Sequence, residues 1–374
     1  MRNDMMKSLI WVLFPAIVMG LFACTKEISK DLPLPLEREE SVFINTENGN
    51  LMCFEANTGR KKWEVVMRGG TDGVPVFHNK KIFQVTADGY MYTIDPIRGK
   101  IDRETQINRL NPSNSLCVNA NMVYFAEDSL YAYDTLHNKM WAFKEANEPS
   151  FSSSPKYLND KIYVSAGPNL YCMNSSGSVS WKYVAIDAIN SSVSISNGLV
   201  YFGCDDGKVY ALDATNGNVK WSYVTGDNVY SSPAVYGGMC LVGSDDYYIY
   251  SIDTTTGLER WKFKTNERIK SSPAIHEFTK AVIVGGYDFN LYAVNHVTGE
   301  LLWKYPSASI ILSSPVVYGN YVYFTSFDRY LYALDARDGR IVWKQFLNAN
   351  TKSSPMVDDT KKPIYPGISG HSLY

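Results

Sequence analysis

From residue 41 onward the chain alternates short apolar runs with polar turns on a fixed beat. The unit from Tyr230 to Trp261 shows it best: a Ser-Ser-Pro start, an apolar run, a polar turn, a second apolar run, a tight turn and a last run that carries a Trp. Runs such as Tyr321-Val322-Tyr323-Phe324 and Val209-Tyr210-Ala211-Leu212 are short and rich in β-branched and aromatic residues, which predicts strands. Asp205-Asp206-Gly207 and Ala214-Thr215-Asn216-Gly217 supply the turn chemistry between them, with Gly where φ must be positive. Four short strands joined by hairpin turns make one antiparallel blade.

The beat is marked by Trp141, Trp181, Trp221 and Trp261 at spacings of 40 residues, with Trp303 and Trp343 continuing it. Trp63 lies 78 residues before Trp141, so that gap hides one repeat whose Trp is replaced near Arg103. Eight phases result. A single blade cannot cover both its faces, and stacking blades in a ring is what creates a core. The sequence therefore predicts an all-β, eight-bladed β-propeller over residues 41–374, with Trp63, Trp141, Trp181, Trp221, Trp261, Trp303 and Trp343 packed between blades. Residues repeated in every blade, including Ser-Ser-Pro and the Asp-Gly turns, are read as scaffold and not as catalysts. Asp206 and Asp328 are accordingly turn residues.

Ring closure is also readable. Ser41 to Trp63 supplies the second, third and fourth strands of a unit, and Lys352 to Val357 supplies the missing first strand, which leaves no open edge. Pro363 to Tyr374 resembles a second strand and part of a third, so it either lies outside the ring or displaces the N-terminal strands.

Before the repeat, residues 1–23 read as a signal peptide. Arg2 and Lys7 precede a 16-residue, mostly apolar run from Ser8 to Ala23, which is too short for a comfortable membrane span. Leu21-Phe22-Ala23-Cys24 resembles the bacterial lipobox, which implies lipidation of Cys24 and a membrane anchor through the N-terminus. Residues 24–40, charged and broken by Pro, suit a flexible tether. This predicts a lipid-anchored protein of the outer membrane, facing either the periplasm or the cell surface.

Lys plus Arg total 36 against 38 for Asp plus Glu, so no global field attracts nucleic acid. Cys53, Cys117, Cys172, Cys204 and Cys240 are odd in number and fall inside strand-like runs, which reads as buried small hydrophobes and not as disulfides. His78, His137, His276, His296 and His371 show no metal-ligand spacing. No cofactor or metal is expected.

The cadence of YALDATNGNVKW, ending at Trp221, and YALDARDGRIVW, ending at Trp343, resembles the repeat of the pyrroloquinoline-quinone (PQQ) propeller superfamily over residues 41–374. Two branches follow from that resemblance. Quinoprotein dehydrogenases imply a quinone held between a Trp and a disulfide of adjacent cysteines, with Ca²⁺ and an Asp base; no Cys-Cys pair occurs in this sequence, and every Trp after Trp11 is in phase. BamB-like outer-membrane lipoproteins imply a non-catalytic scaffold that binds envelope proteins, and the chain matches them in length, lipobox and eightfold repeat. A glycan- or small-ligand-binding propeller, with Tyr and Trp as sugar platforms, is the alternative.

Function in propellers sits in loops, because the strands are committed to packing. The loops between each Trp strand and the next first strand differ from blade to blade. They nominate Arg68, Arg109, Tyr230 and Arg268 as partner contacts, with Ile310 and Ile311 as an apolar patch.

Overall fold

The computed structural model describes residues 40–107, 115–358 and 363–364. Cys24, the residues read as signal peptide and tether up to residue 39, Arg109 and His371 lie outside the described residues. The rest forms eight antiparallel sheets. Blade 1 joins both ends of the chain, and blades 2 to 8 follow at residues 76–106, 117–143, 156–184, 194–224, 234–264, 274–306 and 316–346. The protein is an eight-bladed β-propeller.

Blade 5 shows why the pattern folds this way. Its strands Ser194–Ser196, Leu199–Cys204, Lys208–Asp213 and Val219–Val224 pair in sequence order. The two middle strands are buried almost throughout, because a neighbouring blade covers each face. The fourth strand alternates exposed and covered positions, so it forms the outer wall. The three-residue first strands of successive blades approach one another, which places them nearest the axis. The core accordingly lies between sheets: Tyr201, Val209 and Trp221 of blade 5 pack with Cys240, Val242 and Tyr250 of blade 6.

Each described Trp docks on the next blade. All seven indole nitrogens donate to a carbonyl in the following blade's last turn, at 2.8 to 3.1 Å, as Trp221 does to Thr254 and Trp343 to Ala56. The glycine of that turn has a positive φ and lies under the indole: a Cβ on Gly59 would come within 2.6 Å of Trp343. A register shift beside the Trp, between Ala211 and Leu212 in blade 5, recurs in all eight blades. An extra residue there bends the strand and aims the side chain across the junction. Arg103 holds the Trp position of blade 2, paired with Thr93 as Trp221 is with Ala211.

The two serines of Ser-Ser-Pro divide the labour. The first staples strands within a blade: Ser271 Oγ accepts from the Gly285 amide at 2.7 Å and donates to its carbonyl at 3.0 Å. The second links blades around the axis. Ser115, Ser154, Ser192, Ser232, Ser272, Ser314 and Ser354 each accept, at 2.8 to 3.2 Å, the amide of the residue at the same place in the preceding blade. Val74 occupies that place in blade 2 and has no hydroxyl to offer.

Closure follows the sequence reading: Val42 and Phe43 pair with Val357 and Met356. Of the last dozen residues only Pro363–Ile364 are described. Pro363–Ile364 adds a short strand on the other, axial edge of Met356–Asp358 and leaves the N-terminal strands in place; residues 365–374 lie outside the described residues.

Candidate partner-binding surface

Strand direction alternates along a blade, so the connections sort onto two faces. The turns between first and second strands and between third and fourth strands share one, here the turn face. The second-to-third turns and the crossovers from one blade to the next share the other, the crossover face.

On the crossover face the aspartates of the second-to-third turns are structural. Asp206, Asp246 and Asp328 accept the hydroxyls of Tyr210, Tyr250 and Tyr332 four residues on, at 2.5 to 2.6 Å, and Asp288 binds Tyr292 in the same way. Asp246 and Asp328 also accept the amides of Gly226 and Ala308 in the crossovers.

Within each crossover, adjacent residues have opposite fates. Ile189, Val229, Ile269 and Ile311 are all at most 1% exposed. Val229, Ile269 and Ile311 fill the space that Gly203, Gly243 and Gly285 leave at the ends of the second strands. Ile311 is thus core. It belongs to no surface patch, and only Ile310 of that pair is partly accessible. The following position, just before the Ser-Ser pair, faces the mouth of the ring and varies between blades: Asn190, Tyr230, Lys270, Leu312, Lys352, Asp72 and Ser152.

Blades 5 to 7 build a continuous polar and aromatic cluster there. Lys270 Nζ lies 3.8 Å from the centre of the Tyr230 ring and 6.0 Å from that of Tyr287, and 3.5 Å from Asp245 Oδ2. The Arg268 guanidinium stands over Tyr287 at 5.9 Å. Asn190 Nδ2 donates to Asp205 Oδ2 at 2.7 Å. With the Asn228 amide turned so that its nitrogen donates to the Asp205 carbonyl at 2.8 Å, its oxygen accepts from the Tyr230 hydroxyl at 3.2 Å. Desolvation raises the carboxyls of Asp205 and Asp245 above the ordinary range, and Asn190 and Lys270 oppose that shift. Across the mouth Lys352 spans Asp72 at 3.6 Å and Glu47 at 3.8 Å.

The structure therefore brings Tyr230 and Arg268 together through Lys270 and Tyr287. Arg68 stands apart on blade 2, paired with Glu104 at 3.1 Å and over Tyr90 at 5.1 Å. Lys270, Tyr287, Asp205 and Asp245 are site residues that the sequence reading passed over. Stacking the repeats on Ser-Ser would have placed Lys270 beside the buried apolar column, whereas Asp205, Asp245 and Tyr287 lie in the second-to-third turns and share no column with it.

Nothing in this arrangement pairs a nucleophile with a base. The described cysteines lie in five different blades; burial pushes the thiols of Cys53 and Cys204 up to about 12 and that of Cys117 to about 11. Among the described residues no group of three or more His, Cys, Asp or Glu side chains could hold a metal ion.

The sequence profile of a family described as outer membrane protein assembly factor BamB matches residues 23–135, 126–246, 190–309 and 245–367, nearly the whole propeller. The chain belongs to this family. No curated protein sequence matches it. Among solved structures, BamB from Moraxella catarrhalis is similar at 18% identity and a TM-score of 0.64, covering 78% of this chain and 95% of that one. The computationally designed protein Ika8 is similar at 13% identity and a TM-score of 0.68, covering 83% of this chain and 97% of its own. Quinohemoprotein alcohol dehydrogenase ADHIIG from Pseudomonas putida HK5 is similar at 12% identity and a TM-score of 0.63, covering 77% of this chain and 69% of the enzyme. At these identities the three structures share the fold.

The third likeness raises the question of a quinone. The residues present do not fit one: no adjacent cysteines exist, and every described Trp is docked on a neighbouring turn.

Proposed function

We propose that the protein is a non-catalytic scaffold of the cell envelope, anchored through Cys24 to the outer membrane, which binds an envelope protein at the crossover face around Tyr230, Lys270 and Tyr287. The observation that carries this reading is the split within the crossovers. Four of the loops are locked by a buried apolar residue, Ile189, Val229, Ile269 or Ile311, while the neighbour at the mouth changes from Asn190 to Tyr230, Lys270 and Leu312, which a scaffold alone does not require. Tyr and charged side chains held by one another form a preorganised surface of the kind protein partners use. Membership of the BamB family supports a partner from outer-membrane protein assembly.

The glycan reading fares less well, because a sugar needs a free ring face. Lys270 occupies one face of Tyr230, and Arg268 and Lys270 crowd Tyr287.

A photocrosslinking amino acid at position 230, expressed in the native host, tests the proposal. The expected result is a discrete adduct with an envelope protein, lost on adding Lys270→Glu and absent with the crosslinker at Thr256 on the turn face. Equal adducts from both faces, or none from position 230 in anchored protein, would overturn it. Mass analysis of the N-terminal peptide tests the acyl chains on Cys24 separately.

A further inference from the structure

The second-to-third turns of blades 6 to 8 hold their aspartates captive, and blade 2 does not. Asp246 accepts the Tyr248 amide at 3.0 Å, the Tyr250 hydroxyl at 2.6 Å and, from the preceding crossover, the Gly226 amide at 2.6 Å. Asp328 accepts the same three groups, from Tyr330, Tyr332 and Ala308, at 3.1, 2.6 and 3.1 Å. Asp288 repeats the set with Asn290, Tyr292 and Asn266. Asp88 stands at this phase in blade 2, just before Gly89 and in the same turn as Tyr92. Here the crossover amide of Arg68 bypasses it and donates to the Tyr92 hydroxyl at 2.9 Å. Among the described residues the Asp88 side chain forms no hydrogen bond and no ion pair, and it is exposed where its three counterparts are half-buried.

The crossover differs to match. Thr225, Thr265 and Ser307 open the crossovers into blades 6, 7 and 8, and each hydroxyl donates to the carbonyl two residues on, at 2.8, 2.8 and 2.6 Å. Met67 opens the crossover into blade 2 and has no hydroxyl to give. Two residues on stands Gly69, with φ of 74°, in the place of Asp227, Glu267 and Ser309, none of which has a positive φ. A Cβ on Gly69 would lie 2.8 Å from the Asp88 amide nitrogen and 3.0 Å from its Cγ, so a glycine lets the chain pass this close. The released carboxylate is thus matched by Met67 and Gly69 in the sequence, and a repeat breaks its own rule mainly at functional or strained sites.

Asp88 lines a cleft of about 670 Å³ with Arg68, Tyr90 and Gln106. The Arg68 guanidinium is engaged by Glu104 at 3.1 Å and donates to the Tyr90 hydroxyl at 3.2 Å, which leaves the Asp88 charge uncompensated. The same crossover passes Glu47 at Gly70, where Lys352 alone serves both Glu47 and Asp72. Four carboxylates, of Glu47, Asp72, Asp88 and Glu104, therefore meet two cations, and the group that complements them is a further cation with several donors. A guanidinium engages a carboxylate through two N–H groups and has others to offer the Gln106 side chain and the Tyr90 hydroxyl; an ammonium does so with three.

We propose that the blade 2 cleft receives an arginine or lysine side chain of an envelope protein, with Asp88 as the carboxylate that pairs with it. This is a second contact on the crossover face, separate from the cluster of blades 5 to 7, and it rests on the scaffold reading only for the partner being a protein.

The test uses the full chain in its native host with a photocrosslinking amino acid at Gln106, an exposed residue of the cleft. The expected adduct joins an envelope protein close in sequence to an arginine or lysine, as read by mass spectrometry of the crosslinked peptide. Asp88→Lys should lower its yield about fivefold or more. Reversing the partner's basic residue to Glu should lower the yield in the wild-type chain and restore it beside Asp88→Lys. An adduct unmoved by Asp88→Lys, a charge swap that restores nothing, a crosslink far from any basic residue, or no adduct at all overturns the proposal. Urea denaturation checks that the carboxylate is free: Asp88→Asn should leave the midpoint unchanged, whereas Asp328→Asn, which weakens three bonds, should lower it. Equal shifts would mean that Asp88 is held like its counterparts and would also overturn the proposal. The two sites fail separately. An adduct from position 230 and none from 106 ends this proposal alone; the reverse ends the site at Tyr230 and leaves the blade 2 contact standing.

Discussion

The Nε2 of His137 lies 2.7 Å from Oγ1 of Thr93 in the preceding blade. His137, with φ of 68°, holds the turn position that a glycine fills in the other blades, and it faces the junction where Arg103 replaces Trp. Elsewhere the indole leaves no room for a Cβ at that turn. With no indole present, an imidazole can enter, and its Nδ1 is also 2.9 Å from Thr105 Oγ1. The two departures from the repeat compensate each other.

That contact carries a pH dependence. Burial, with Arg103 adding to it, lowers the His137 pKa to about 4. The unfolded chain takes up this proton near pH 6.5 and the folded chain resists it until about 4, so stability falls as pH drops through that window and levels off below it. The contribution is roughly 2 kcal/mol after allowance for solvent screening. His137→Asn, which tolerates the positive φ, should lose about that much of the difference in unfolding free energy between pH 7.5 and pH 4, measured by urea denaturation. An unchanged difference would mean that His137 is not the titrating group.

The Trp dock can be separated from backbone strain. Gly217 and Gly198 share a φ of 74°, but a Cβ on Gly217 would meet Trp181 at 2.7 Å, whereas one on Gly198 would meet nothing within 4 Å. Gly198→Ala should cost about 1–2 kcal/mol, from the left-handed conformation alone. Gly217→Ala should cost roughly 2–4 kcal/mol because the indole must also move. Equal losses in denaturant melts would remove the dock from the account.

The axial serine chain should behave as a set of single links. Ser232→Ala leaves the Ser192 amide without its acceptor and should cost about 1–2 kcal/mol with the blades intact, as read by chemical denaturation and an unchanged far-ultraviolet spectrum.

How much of this was legible follows from what repeats. The blade count, the missing Trp at Arg103 and the closing strand were readable because packing imposes the same residue type at the same phase. The role of His137 was not, since it arises from contact between two exceptions 34 residues apart. Ile311 was misjudged for a related reason: hydrophobicity in a loop suggested a surface patch, although Ile189, Val229 and Ile269 share its phase and mark a buried column. Lys270 and Tyr287 were missed because they come from different loops of neighbouring blades and stand together only once the ring exists. The two-residue strand Pro363–Ile364 was legible as strand but not as to place, because an axial edge is visible only once the ring exists.

Closure gives the last prediction. Met356 and Val357 are fully buried, and their strand covers the edge of Ser41–Asn45, all of which is buried. Ser353 and Thr351 add bonds to the Gly73 and Asn45 carbonyls, tying the end of the chain to blades 1 and 2. A chain ending at residue 350 would lose those contacts, expose two apolar side chains worth about 2 kcal/mol each, and leave an unpaired strand edge open to other molecules. It should aggregate on size exclusion or melt without a cooperative transition. A chain ending at residue 364 keeps every described pairing and should melt with the full-length protein. If the shorter chain stays monomeric and melts at the same temperature, the ring is held by the Trp docks alone and the terminal strand is dispensable.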